Sequence, residues 1–294
     1  MPWIYDGSNG LPRLRVDLSL GTLSDLPTDS EGPRGEAPDA FAAIRAAGFE
    51  GVQASPALAE RVRDAGLRLT TSGRIDAPGD ARRLAEEALA AGADATTLHI
   101  GTGFEDDATA DRLIESVIRA SEDSGLPLFV ETHRATLTQD PHRTIRIAER
   151  HPALRFNADL SHYYCGAEMV YGDWEAKLRL LAPIFERSGF LHGRISSPGC
   201  IQVDVGDGSE TGRPHVAHFN QLWSLVFSGF LRSATPGSII VFAPELLPSR
   251  IAYARQFEGR EEGDRWQQAL VLSRLARECF ESARSTPSTH PGPN

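Results

Sequence analysis

Short apolar runs alternate with longer amphipathic stretches along most of the chain. The runs are RLRVDLSL (13–20), FEGVQAS (49–55), LRLTTSG (67–73), ATTLHIG (95–101), LPLFVETH (126–133), LRFNADLSH (154–162), GFLHGRIS (189–196) and SIIVFAPEL (238–246). Between them lie DAFAAIRAAG, PALAERVRDAG, DARRLAEEALAAGA and ADRLIESVIRASEDSG, whose apolar residues recur at helical spacing. Several of these stretches end in Gly just before the next run, where a left-handed cap closes a helix. Strand then helix, repeated, implies parallel pairing through right-handed crossovers. The expected fold is α/β, a single-domain (β/α)8 TIM barrel over residues 1–284 with a disordered tail at 285–294. An open doubly wound sheet is the rival, but no GxGxxG follows the first strand.

Two stretches break the rhythm. LSDLPTDSEGPRGEAP (23–38) follows the first strand, and residues 197–215, rich in Gly and Asp, follow the seventh. Loops this long in a compact domain are usually functional or disordered. In a barrel both would lie at the C-terminal mouth, where active sites are built.

Composition narrows the partners. A net charge of −10 and a pI of about 5.4 argue against a protein that grips a phosphate backbone over a wide surface. Cys165, Cys200 and Cys279 are odd in number and show no CxxC spacing, as expected of thiols in a reducing compartment. No apolar run approaches the length that spans a bilayer, and MPWIYDGSNG lacks the features of a secretory signal. The expected location is the cytoplasm.

The chemistry gathers at the strand ends. The fourth run ends in His99, the fifth in Glu131 and His133, and the sixth in Asp159 with His162 three residues on. The seventh carries His192 and Arg194, and the eighth ends in Glu245. Residues i and i+2 of a strand share a face, so Glu131 and His133 would point the same way. Carboxylates converging on one mouth repel and desolvate one another unless a cation compensates them. Glu131, Asp159, His192 and Glu245 supply three carboxylates and one imidazole, a set that suits Mn²⁺, Mg²⁺ or Co²⁺. Zn²⁺ gains if His99 or His162 joins. Tyr163, Tyr164, Tyr171 and Trp174 could face a sugar ring or tie a loop to the rim, and GDG (206–208) reads as a plain turn. His142, His151 and His290 read as solvated, and His215 and His218 as neighbours of a helix start.

These positions resemble the xylose-isomerase-like barrel superfamily of sugar phosphate isomerases and epimerases. That group includes ketose 3-epimerases, inosose-type cyclitol enzymes and, more distantly, endonuclease IV. The resemblance covers residues 126–250 well and the first four strands by rhythm alone. It implies that Glu131, Asp159, His192 and Glu245 hold the metal, and that His162 (of DLSH) and Arg194 bind substrate beside His99. Glu131 and Glu245 would then move a proton on and off carbon. The implied activity is a divalent-metal-dependent isomerase or epimerase of a keto-sugar or cyclitol, acting through an enediolate. A lyase or dehydratase on the same substrates, an endonuclease IV-like phosphoester hydrolase and a non-catalytic sugar-binding barrel are the alternatives. The third run ends LTTSG without His, and Asp204, Asp207 and His215 are spaced differently from the endonuclease pattern, so a full three-metal hydrolase site is not expected. The implied partner is a small-molecule sugar or cyclitol, with no nucleic acid and no membrane, and a homo-oligomer left open.

Overall fold

In the computed structural model, which describes residues 1–34, 38–209 and 214–285, each of the eight apolar runs contributes one strand. A two-residue strand that the sequence pattern does not reveal, β1 (Ile4–Tyr5), precedes them. The runs follow as β2 (Arg13–Ser19), β3 (Gly51–Gln53), β4 (Arg68–Ile75), β5 (Thr96–Ile100), β6 (Leu128–Glu131), β7 (Phe156–Asn157), β8 (Ser188–Gly193) and β9 (Ser238–Pro244). Strands β2 to β9 pair in sequence, each parallel to the next. β9 then pairs back on β2, with Arg13 opposite Ile239, and the barrel is closed. The chain is a single-domain (β/α)8 barrel. β1 runs antiparallel against β9 at the closed end. The tail expected from 285 lies outside the described residues beyond Ser285.

The α-helices of the described residues are α1 (Pro38–Ala46), α2 (Ala59–Asp64), α3 (Pro78–Ala90), α4 (Asp107–Ser124), α5 (Pro141–Arg150), α6 (Ser161–Gly166), α7 (Trp174–Phe185), α8 (Pro214–Ser233) and, after the last barrel strand, α9 (Arg265–Ser285). Their ends follow local chemistry. Asp106 caps α4 by accepting from Thr109 N, and Gly125 closes it at φ +69°. Asp140 caps α5 with Pro141 in its first turn. The stretch PALAERVRDAG divides, because Ser55 caps a tight turn over Pro56–Leu58 before α2 begins. Among the described residues, no helix is long and apolar enough to cross a membrane.

Strand alternation sorts the barrel interior into layers. Phe129, Phe190, Ile239, Val241 and Ala243 form an apolar cluster inside the barrel. Two residues further along their strands stand Glu131, His192 and Glu245. Arg15 and Asp17, both from β2, pair within the interior at 2.8 Å, and Arg15 also reaches Asp94 at 2.6 Å. The long loop after β2 is fastened rather than loose over its described part. The buried Arg265 of α9 donates to the carbonyls of Thr22, Ser24 and Asp25.

Candidate metal centre

β6 ends on Glu131, and its register sets Glu131 opposite Asn157 of β7. Asp159 lies two residues past Asn157, His192 sits in β8, and Glu245 directly follows β9. These four side chains each bring one ligand atom to within 4.8 Å of the others. His192 Nδ1 lies 3.3 Å from Glu131 Oε2, 3.9 Å from Asp159 Oδ2 and 3.5 Å from Glu245 Oε2. Such spacings are those of donors sharing one cation at the usual 2.0–2.2 Å.

Neighbouring groups hold each ligand in place. Glu131 Oε2 accepts from Asn157 Nδ2 at 3.1 Å, while its Oε1 is buried with no hydrogen-bond partner. His99 Nε2 stands 3.2 Å from that oxygen, but out of line for a hydrogen bond. Asp159 Oδ1 accepts from Ser161 N and Oγ, leaving Oδ2 for the cluster. His192 Nε2 lies 2.9 Å from Gln53 Oε1, so Nδ1 faces the carboxylates.

Charge balance follows from these contacts. Burial works against ionised Glu131, but His192 and then His99 hold its carboxyl well below the usual range. Burial likewise opposes the charge on Asp159, and Arg194 and His162 outweigh it. Burial disfavours a charged His192, yet Glu245, Glu131 and Asp159 together push it up to about 9. The ring therefore serves as a cation among carboxylates, and a metal ion at Nδ1 would take the place of that proton. A buried carboxylate oxygen without a partner, in a set of three acids and one imidazole, fits a divalent cation. Glu131, Asp159, His192 and Glu245 would hold it.

The remaining expected residues stand around this set. Arg194, fully buried, donates through Nη2 to Asp159 Oδ2 at 2.5 Å and to Glu245 Oε2. His162 Nε2 is 3.6 Å from Asp159 Oδ2, neither of its ring nitrogens is hydrogen-bonded among the described residues, and burial pushes it well below the ordinary imidazole value. His133 stacks between His99 and His162, with ring centroids 4.2 Å and 3.9 Å away, and burial lowers it to about 4. A cavity of about 690 Å³ opens beside Glu245, lined by Ser19, Gln53, Ser55, Ser72 and Arg34.

Sequence reasoning missed three residues here. Gln53 ends a three-residue strand too short to show alternation. Asn157 looks like an ordinary polar strand residue, although it lies two before Asp159 and must share its face. Tyr253, in the loop after β9, stacks over the mouth: its ring lies 4.8 Å from Arg194 Cζ, and its hydroxyl is 3.3 Å from His133 Nε2.

Several other expectations are decided, some kept and some changed. Tyr163 and Tyr164 are buried; Tyr163 donates to Thr138 O, so that segment is tied to the rim rather than offered to a ligand. Residues 204–209 form a turn in which Asp204 and Asp207 accept from backbone N–H groups two residues on. His151 is not solvated but pairs with Asp111 of α4 at 2.8 Å. His218 is no cap neighbour: it lies within α8, stacks on Trp174 at 4.1 Å and meets the Tyr164 hydroxyl at 2.8 Å. His290 lies outside the described residues.

No protein-family model matches the chain, and no curated protein matches it. Solved structures do. An L-ribulose 3-epimerase superposes with a TM-score of 0.58 at 13% identity, covering 95% of this chain and 100% of its own. A xylose isomerase-like TIM barrel protein from Mycobacterium smegmatis, in complex with magnesium, gives 0.54 at 15% identity over 92% of this chain and 97% of that one. A D-tagatose 3-epimerase-like protein gives 0.54 at 12% identity, over 92% and 98%. The chain has the fold of the xylose-isomerase-like TIM barrels.

Proposed function

We propose that this protein is a divalent-metal-dependent isomerase or epimerase acting on a keto-sugar or cyclitol through an enediolate. The observation that carries the reading is the cluster of Glu131, Asp159, His192 and Glu245, all within 4.8 Å at the open end of the barrel. The epimerases and the magnesium complex of the same fold support it. Bound there, the cation would supply Lewis-acid charge for a substrate carbonyl and its neighbouring hydroxyl. Mg²⁺ or Mn²⁺ suits the oxygen-rich set best.

The chain's own groups supply the rest. Glu131, held ionised by His192 and His99, takes the carbon-bound proton as general base. Glu245, delivered by β9 and adjoining the cavity, returns the proton to carbon. Arg194 and His162 have unused donors with which to hold substrate oxygens. The partner is a small polyhydroxylated molecule rather than a nucleic acid, since a net charge of −10 leaves little attraction for a phosphate backbone.

The test is proton exchange. Keto-sugars and inososes incubated with the Mn²⁺-loaded protein in D₂O should take up deuterium at one of the carbons next to the carbonyl, followed by NMR. Glu245→Gln should slow uptake by about 10²- to 10⁴-fold with its metal content measured in parallel. Product formed without deuterium would replace this mechanism by a hydride shift or a hydrolysis. Uptake accompanied by loss of water would make the protein a dehydratase.

A further inference from the structure

Among the described residues three arginines are fully buried, and they are not used alike. Arg15 places Nε, Nη1 and Nη2 on Asp17 and Asp94, at 2.6 to 3.0 Å. Arg265 likewise uses all three nitrogens, on Glu261 and on the carbonyls of Thr22, Ser24 and Asp25. Both are permanent struts, as a buried guanidinium with satisfied donors should be. Arg194 is different. Only its Nη2 is bonded, while Nε and Nη1 are buried with no partner among the described residues.

The atoms that Nη2 touches are the second observation. They are Asp159 Oδ2 and Glu245 Oε2, the same oxygens that face His192 Nδ1 in the candidate centre. A cation liganded by His192 would draw on both, so guanidinium and metal ion would compete for the same two oxygens. The third observation is an alternative seat. Arg194 Cζ already lies 4.8 Å from the Tyr253 ring centroid, within cation–π range. The side chain can therefore release its carboxylates while its Cζ stays over the Tyr253 ring.

We propose that Arg194 is a resident counter-ion of the metal centre, displaced from Asp159 and Glu245 when a divalent cation binds. It keeps two carboxylates from repelling each other until the ion arrives, and it yields them to the ion while remaining on Tyr253. The guanidinium thereby sets the metal affinity of this chain. This rests on the reading of Glu131, Asp159, His192 and Glu245 as a cation site.

Mn²⁺ titrated calorimetrically into the purified wild-type chain and into Arg194→Gln decides it. Removing a competing unit charge a few ångströms away should tighten Mn²⁺ binding at least about tenfold, with the stoichiometry unchanged. Equal or weaker binding by a variant that still melts cooperatively would overturn the proposal, because Arg194 would then be a strut for the ligands. A crystal structure of the wild type with Mn²⁺ gives the answer even if the variant does not fold. Nη2 should be off both oxygens and Cζ still over the Tyr253 ring; a guanidinium still bridging Asp159 and Glu245 beside the ion would overturn it. If neither protein binds Mn²⁺, the metal reading of the site fails and this proposal fails with it.

Discussion

Gln53 has one amide to share between two neighbours, and the division fixes His192. Its Nε2 goes to Thr97 Oγ1 at 2.9 Å, which leaves Oε1 facing His192 Nε2 at 2.9 Å. That imidazole nitrogen must then be the donor, so Nδ1 is the one left for the carboxylates or a metal ion. Gln53→Leu removes the acceptor without adding bulk and frees the ring to rotate. Partners of this kind are worth about 10- to 100-fold in metal affinity, so Mn²⁺ binding to the variant should weaken by that amount. Calorimetric titration measures it, and an unchanged dissociation constant would mean that Gln53 does not orient the ring. Residues of this kind show the limit of sequence reading. The candidate ligands were legible because each falls at or near the end of an apolar run, whereas Gln53 and Tyr253 are recognised only by what they touch.

At the scale of elements, β8 shows why the rest of the cluster could be read. Phe190 and His192 alternate along it and Arg194 continues the pattern just beyond its end, so one inward face passes from an apolar ring to a candidate metal ligand and then to a buried cation within five residues. The same alternation places Phe129 below Glu131 and Val241 and Ala243 below Glu245. What the alternation does not reveal is packing on the outer face. Gly193, between His192 and Arg194, faces outward, and a Cβ there would lie 2.4 Å from Phe242 Cζ. Phe242 is fully buried on the neighbouring strand and pressed edge-on against Trp223, so the ring has little room to yield. Gly193→Ala should therefore destabilise the fold by about 1–3 kcal/mol, the usual range for overpacking. A thermal melt would show the loss as a drop of several degrees, and an unshifted midpoint would mean that the strand adapts freely. Short elements escaped the pattern for a related reason. β1 has only two residues, and the hairpin of β10 (Gln256–Phe257) and β11 (Arg260–Glu261) is mostly exposed, so neither leaves an apolar signature.

Over the whole molecule, carboxylates around the barrel set the response to acid. Asp106 is held below its ordinary value by the Thr109 side chain and backbone at the start of α4. Asp80 is lowered by the backbone N–H groups of Ala77 and Asp76 at the start of α3. Arg150 lowers Asp111 between α4 and α5, where burial opposes and His151 assists. Burial opposes the charge on Asp94 too, but Arg68 and Arg15 prevail. The sign is the same for all four. The unfolded chain takes up protons near pH 3.8, while the folded chain holds these groups ionised further down. The stability they contribute is present above about pH 4 and is lost as the pH falls through their depressed values. Asp17 acts the other way: burial raises it despite Arg15, so its protonation favours the folded state as the pH falls. One group against four should not reverse the trend. The net charge of −10 also shrinks toward zero near the pI of about 5.4, which relieves self-repulsion there. Urea midpoints should thus stay level or rise slightly from pH 7 to 5 and fall steeply below pH 4, with Asp106→Asn and Asp80→Asn each flattening that fall. Midpoints that rise below pH 4 would mean that buried acids such as Asp17, rather than the helix caps and ion pairs, govern the acid limb.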